Sequence, residues 1–145
     1  MYIISACLAG QNCKYNGGNN ECQWVLDFIR KNDCVLVCPE SFGELPTPRP
    51  PSEIINGRAI DKNGKDITDE LIKGAAKSWE KAEKAAESAN LEIEGAILKA
   101  NSPSCGCGKI YDGTFSGKLT DGDGFFAGLL KSKGIKVSTE KEIIK

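Results

Sequence analysis

Seven cysteines and no histidine in a chain of 145 residues narrow the chemistry open to this protein. Lacking histidine, it has neither the commonest general base nor a serine–histidine or cysteine–histidine nucleophile, so thiolates, carboxylates and hydroxyls must do the work. Cys7, Cys38 and Cys105 are the thiols to consider first, because each closely follows a short apolar run. If they converge, three thiolates are metal ligands. Zinc is the weaker choice, since structural zinc takes closely spaced pairs such as C-x-x-C and the spacings here are C-x5-C, C-x3-C and C-x-C. Iron–sulfur chemistry suits all-thiolate ligation from separate loops, and three cysteines on a four-iron cluster leave one iron open to a substrate. The competing reading is that the thiols are small apolar core residues, which is expected of Cys22 and Cys34. Spacing alone leaves both readings open for the other three.

Other groups sit close to these thiols in sequence. Glu40 follows Cys38 through Pro39, where a carboxylate could move protons or simply be a solvated or helix-capping acid. Ser102 and Ser104 flank Pro103 before Cys105; their hydroxyls could orient a substrate, relay a proton or only form the turn. Arg49, inside a proline-rich stretch, could clamp an anionic or carbonyl group or make an ordinary surface ion pair. Residues 106–108 and 122–124 contain G-x-G, yet neither completes a phosphate-binding fingerprint, so nucleoside triphosphate use is not expected.

Composition bounds the setting. A chain that is 40% hydrophobic and 27% charged reads as one soluble domain over residues 1–145. At this length roughly 70% of the unfolded surface is buried on folding, so disulfides are not needed. A net charge of -1 disfavours a dedicated nucleic-acid binder. No run approaches the ~18 apolar residues of a membrane span, and no basic residue precedes the first apolar stretch. A cytoplasmic protein with no membrane contact, its thiols reduced, is expected.

The elements that must position these groups follow from hydrophobic periodicity. Apolar runs at residues 2–6, 34–38 and 95–99 read as buried strands, with a helix at 21–31 marked by Trp24, Val25, Phe28 and Ile29. The prolines of residues 44–51 predict an extended loop. A long helix capped from residues 66–68 carries Ile67, Leu71, Ala75, Trp79, Ala82 and Ala86 on its apolar face. Residues 101–108 read as a loop at a strand's end, 111–115 as a tight turn of a hairpin, 125–133 as a helix, 135–138 as a last strand and the remainder as a short helical tail. Strands alternating with helices imply an α/β fold of three layers, a mostly parallel sheet with helices on both faces. Cys7, Cys38 and Cys105 then share the carboxyl edge of the sheet, where such folds place their ligands.

The segments Ser5-Ala-Cys7-Leu-Ala-Gly10, Cys13-Lys-Tyr-Asn-Gly17, Cys38-Pro-Glu40, Leu45-Pro-Thr-Pro-Arg-Pro-Pro51, Ile97-Leu-Lys99, Ser102-Pro-Ser-Cys-Gly106 and Ile110-Tyr-Asp-Gly-Thr-Phe115, taken in order, resemble the thiouracil desulfidase family over nearly the whole chain. The resemblance implies a Rossmann-like fold, a 4Fe-4S cluster on Cys7, Cys38 and Cys105, and non-redox removal of sulfur from thiolated uracil. It implies Glu40 and Ser102 as the catalytic pair, with Cys13 lining the site; Arg49 and Ser104 are taken as further substrate contacts. Cys107, and Asn16 where an aspartate is expected, depart from the pattern. The expected partner is a small thiolated nucleobase or nucleoside. The alternatives are a non-catalytic iron–sulfur or zinc module carrying sulfur, and a desulfidase acting on bases within RNA.

Overall fold

The computed structural model describes residues 1–143. Its centre is a parallel sheet of β1 (Tyr2–Ser5), β2 (Cys34–Val37), β5 (Gly95–Leu98) and β8 (Val137–Thr139), in the order β2-β1-β5-β8. A parallel sheet is covered on both faces, which is why β1 and β5 read as continuous apolar runs. Alternate side chains serve opposite layers. Ile3, Val35, Val37, Ala96 and Leu98 pack against α3 (Thr68–Ser88) and α4 (Phe125–Ser132) through Ala75, Ala82, Phe126 and Leu130. Ile4 and Ile97 face α1 (Gln23–Lys31), meeting Leu8, Val25, Trp24, Phe28 and Ile29. The three-layer α/β arrangement is the one expected.

The long helix α3 buries Leu71, Ala75, Ala82 and Ala86, with Asp69 and Glu70 in its first turn where they complement the helix dipole. The Asp66 carboxylate accepts the Thr68 N–H at 2.9 Å and shapes the entry. A four-residue helix, α2 (Pro39–Phe42), has no counterpart in the sequence reading; it begins directly after Cys38. It lies backbone to backbone on α3, because Gly43 and Gly74 present no side chain: a Cβ at Gly74 would stand 2.7 Å from the Pro39 carbonyl carbon and 2.9 Å from the Gly43 nitrogen.

Two antiparallel hairpins flank the sheet. One, β3 (Ser52–Ile55) with β4 (Arg58–Asp61), escapes the sequence reading although Asn56-Gly57 is the strongest short-range hairpin signal, and both residues take the positive φ such a turn requires. The other pairs β6 (Lys109–Tyr111) with β7 (Leu119–Asp121), joined by residues 112–118, so the loop is wider than the tight turn read at 111–115. After β8 the chain makes a turn rather than the expected helical tail, whose last two residues lie outside the described ones. Among the described residues no helix is long and apolar enough to cross a membrane.

Candidate active site

In the sheet order β2-β1-β5-β8 the chain leaves β1 toward β2 and leaves β5 toward β8, in opposite directions, and the crevice at the carboxyl ends of β1 and β5 is the usual ligand position in such folds. Here it is a cleft of about 470 Å³. Cys7 reaches it from the single 3-10 turn Ala6–Ala9 that ends β1, closed by Gly10 at φ 92°. Cys38 caps the short helix α2 after β2. Cys105 comes from the loop after β5, where the Ser102 hydroxyl accepts the Cys105 N–H at 2.8 Å and the Ser102 carbonyl accepts the Gly106 N–H. Cys13, Glu40, Arg49, Ser102 and Ser104 line the same cleft, so all eight residues singled out from sequence come together.

The thiols are free, and burial together with their neighbours perturbs them. Burial pushes the Cys105 thiol up to about 12, against hydrogen bonds from Ser5 and Ser104. Burial also raises Cys7, opposed by a hydrogen bond from Asn20. Cys38 goes the other way, down to about 6, because the neighbouring Cys13 side chain and then Ser41 favour its thiolate; Cys13, its partner, is held well above the usual thiol range. Both Cys7 and Cys105 feel the negative charge of Cys38. Such a set ionises together only around a compensating cation. No three ligating side chains among the described residues are close enough for a single metal ion. An all-thiolate donor set brought to one cleft from separate loops suits an iron–sulfur cluster.

A second network lies beside the thiols. The Arg49 Nε donates to Glu40 Oε1 at 3.1 Å, and the Ser104 hydroxyl donates to Glu40 Oε2 at 2.9 Å. Ser102 Oγ stands 3.4 Å from Ser104 Oγ, so the row runs Arg49, Glu40, Ser104, Ser102. Ser104, rather than Ser102, touches the carboxylate. Arg49 is no surface ion pair: it is 9% exposed, and it also donates to the carbonyls of Pro46 and Cys13 and to Thr47 Oγ1. Its donors are thereby largely spent on the protein, which makes it a brace for Glu40 and for the loop carrying Cys13.

The remaining thiols stand apart from the cleft. Cys22 and Cys34 pack against the α1 layer, and burial lifts Cys34 to about 11. Cys107 turns toward β8, its thiol 3.6 Å from the Val137 carbonyl oxygen. Asn16 accepts the Gly18 N–H and stays within its own turn. Sequence reasoning missed Glu53, Lys99 and the aromatic rings of Tyr15, Tyr111 and Phe115, which also line the cleft. Tyr15, Lys99, Tyr111 and Phe115 stand in recognised motifs, whereas Glu53 had no local signal to mark it.

The chain matches the model of the 2-thiouracil desulfurase family over residues 2–142. It is 39% identical to the uncharacterized protein YbbK of Bacillus subtilis (strain 168) over 153 residues, covering 99% of this chain and 97% of that one. It is also similar to the solved structure of TudS, described as a 4Fe-4S-dependent thiouracil desulfidase, with a TM-score of 0.82 and 37% identity over 97% of this chain and 90% of that one. Shared fold and near-complete coverage agree, and the chain belongs to the 2-thiouracil desulfurase family.

Proposed function

We propose that this protein is an iron–sulfur-dependent desulfidase that converts the thiocarbonyl of a small thiolated uracil, as base or nucleoside, to a carbonyl. The observation that carries the reading is the convergence of Cys7, Cys38 and Cys105 on one cleft beside the Glu40–Ser104 pair. These three thiolates would hold a 4Fe-4S cluster, the cofactor on which TudS depends. When bound, it supplies an iron without a protein ligand, a Lewis acid with affinity for sulfur. In the overall balance the thiocarbonyl and one water become the carbonyl and one hydrogen sulfide, with no net redox.

The chain's own groups manage the protons. Glu40 takes a proton from the attacking water, and Ser104 with Ser102 passes one toward the departing sulfur. Arg49 keeps the carboxylate oriented through its Nε bond. The cleft volume suits a small molecule. Two of its four cations, Arg49 and Lys99, are paired with Glu40 and Glu140, and a net charge of -1 gives the chain no long-range attraction for RNA. The test is iron and acid-labile sulfide per chain on protein purified without oxygen, followed by sulfide release from 2-thiouracil. About four of each with turnover is the expected result; stoichiometric zinc, or no metal after reconstitution, overturns the reading.

A further inference from the structure

Glu53 plays no part in the proton path, yet its placement calls for a partner. It is 8% exposed, forms no ion pair among the described residues, and borders the cleft. Its Oε1 accepts two backbone N–H bonds, from Gly113 at 3.0 Å and Phe115 at 3.1 Å. Its Oε2 has no protein partner among the described residues. With Oε1 held by the loop and Oε2 not sealed from solvent, this largely buried carboxylate leaves one oxygen open at the cleft wall as an acceptor for a ligand.

The same carboxylate shapes the wall around it. Gly113 sits at φ 94°, and a Cβ there would stand 2.5 Å from Ile55 Cγ1, so the loop presses onto β3. Phe115 sits at φ 54°, a left-handed conformation that a bulky residue rarely adopts. The bond from its N–H to Glu53 helps hold it there, and Phe115, like Tyr111, lines the cleft. An apolar aromatic wall beside a fixed anionic acceptor suits a flat heterocycle carrying an N–H.

We propose that Glu53 is a substrate-binding residue whose free oxygen accepts a ring N–H of the thiolated heterocycle, while its other oxygen holds Phe115 as the wall against the ring. This rests on the desulfidase reading and adds the recognition element to it. A cyclic thioamide offers an N–H adjacent to its thiocarbonyl carbon, and a buried acceptor rejects an analogue lacking that donor far more strongly than an apolar wall can.

The test compares 2-thiouracil with its 1-methyl and 3-methyl analogues in the cluster-loaded wild type and in Glu53→Gln, which is isosteric and keeps a carbonyl oxygen for both loop N–H groups. The wild type is expected to reject at least one analogue by about tenfold or more in kcat/KM. In the variant KM for 2-thiouracil should rise roughly 10- to 100-fold with kcat little changed, and the methyl discrimination should collapse. Unchanged KM, or discrimination that survives in the variant, overturns the proposal, because a residue that only latches the loop or a simple steric clash would leave it intact. If the wild type releases no sulfide, the desulfidase reading falls alone; calorimetric binding of uracil to the same two proteins then decides Glu53, weaker binding to the variant supporting it and equal binding overturning it.

Discussion

Gly74→Ala tests whether the backbone contact between α2 and α3 positions the site. In an exposed helix interior, alanine is worth about 1 kcal/mol over glycine. At Gly74 the added methyl would meet the Pro39 carbonyl carbon at 2.7 Å and the Gly43 nitrogen at 2.9 Å, against ordinary contacts of 3.4–4 Å. The obstructing atoms are backbone and cannot rotate aside, so overpacking costs about 3 kcal/mol and outweighs the helix gain. The net loss of about 2 kcal/mol corresponds to a fall of roughly 7 °C in Tm for a domain of this size. The function suffers more, because α2 carries Glu40 and directly follows Cys38, and a displacement of about 1 Å at reacting groups costs on the order of 100-fold in rate. Gly128→Ala in α4, whose Cβ meets nothing within 4 Å, is the control and should raise Tm by a few degrees with full activity. Thermal melts by circular dichroism and sulfide release measure both. A Gly74→Ala protein that melts at or above wild type with an unchanged rate would refute the reasoning.

Other changes separate the parts of the site. Glu40→Gln should leave the visible absorbance of the cluster intact while turnover of 2-thiouracil drops by about 100-fold or more, and full activity removes Glu40 from the mechanism. Cys105→Ser should purify with little or no cluster absorbance and less than stoichiometric iron after reconstitution, since a buried hydroxyl is a poor replacement for a thiolate. Arg49→Lys keeps the charge but loses the fork that reaches Glu40, Pro46, Thr47 and Cys13, so denaturant melts should show a loss of about 3 kcal/mol together with slowed sulfide release. Ser78→Ala removes a fully buried hydroxyl that has no hydrogen-bond partner and should raise Tm by a few degrees; a lower Tm would mean the hydroxyl is satisfied after all.

By itself the sequence determined the chemistry available and the layers that present it. Absent histidines and reduced thiols restrict the reagents, and the apolar runs at β1, β2 and β5 place Cys7, Cys38 and Cys105 at strand ends because only a strand buried on both faces tolerates such runs. Which of these groups meet one another was decided by proximity across the fold. That Ser104 rather than Ser102 touches Glu40, and that Arg49 braces the carboxylate, depends on a loop from β5, a turn after β2 and a proline-rich segment meeting in space. The same holds for Glu53, an isolated acid in a hairpin whose Asn56-Gly57 turn was legible but unread, and whose partners lie 60 and 62 residues away. Local patterning reports periodicity and turn chemistry. Hydrogen bonds between distant segments leave no period in the chain, so only tertiary packing decides which carboxylate holds a loop and which lines the cleft.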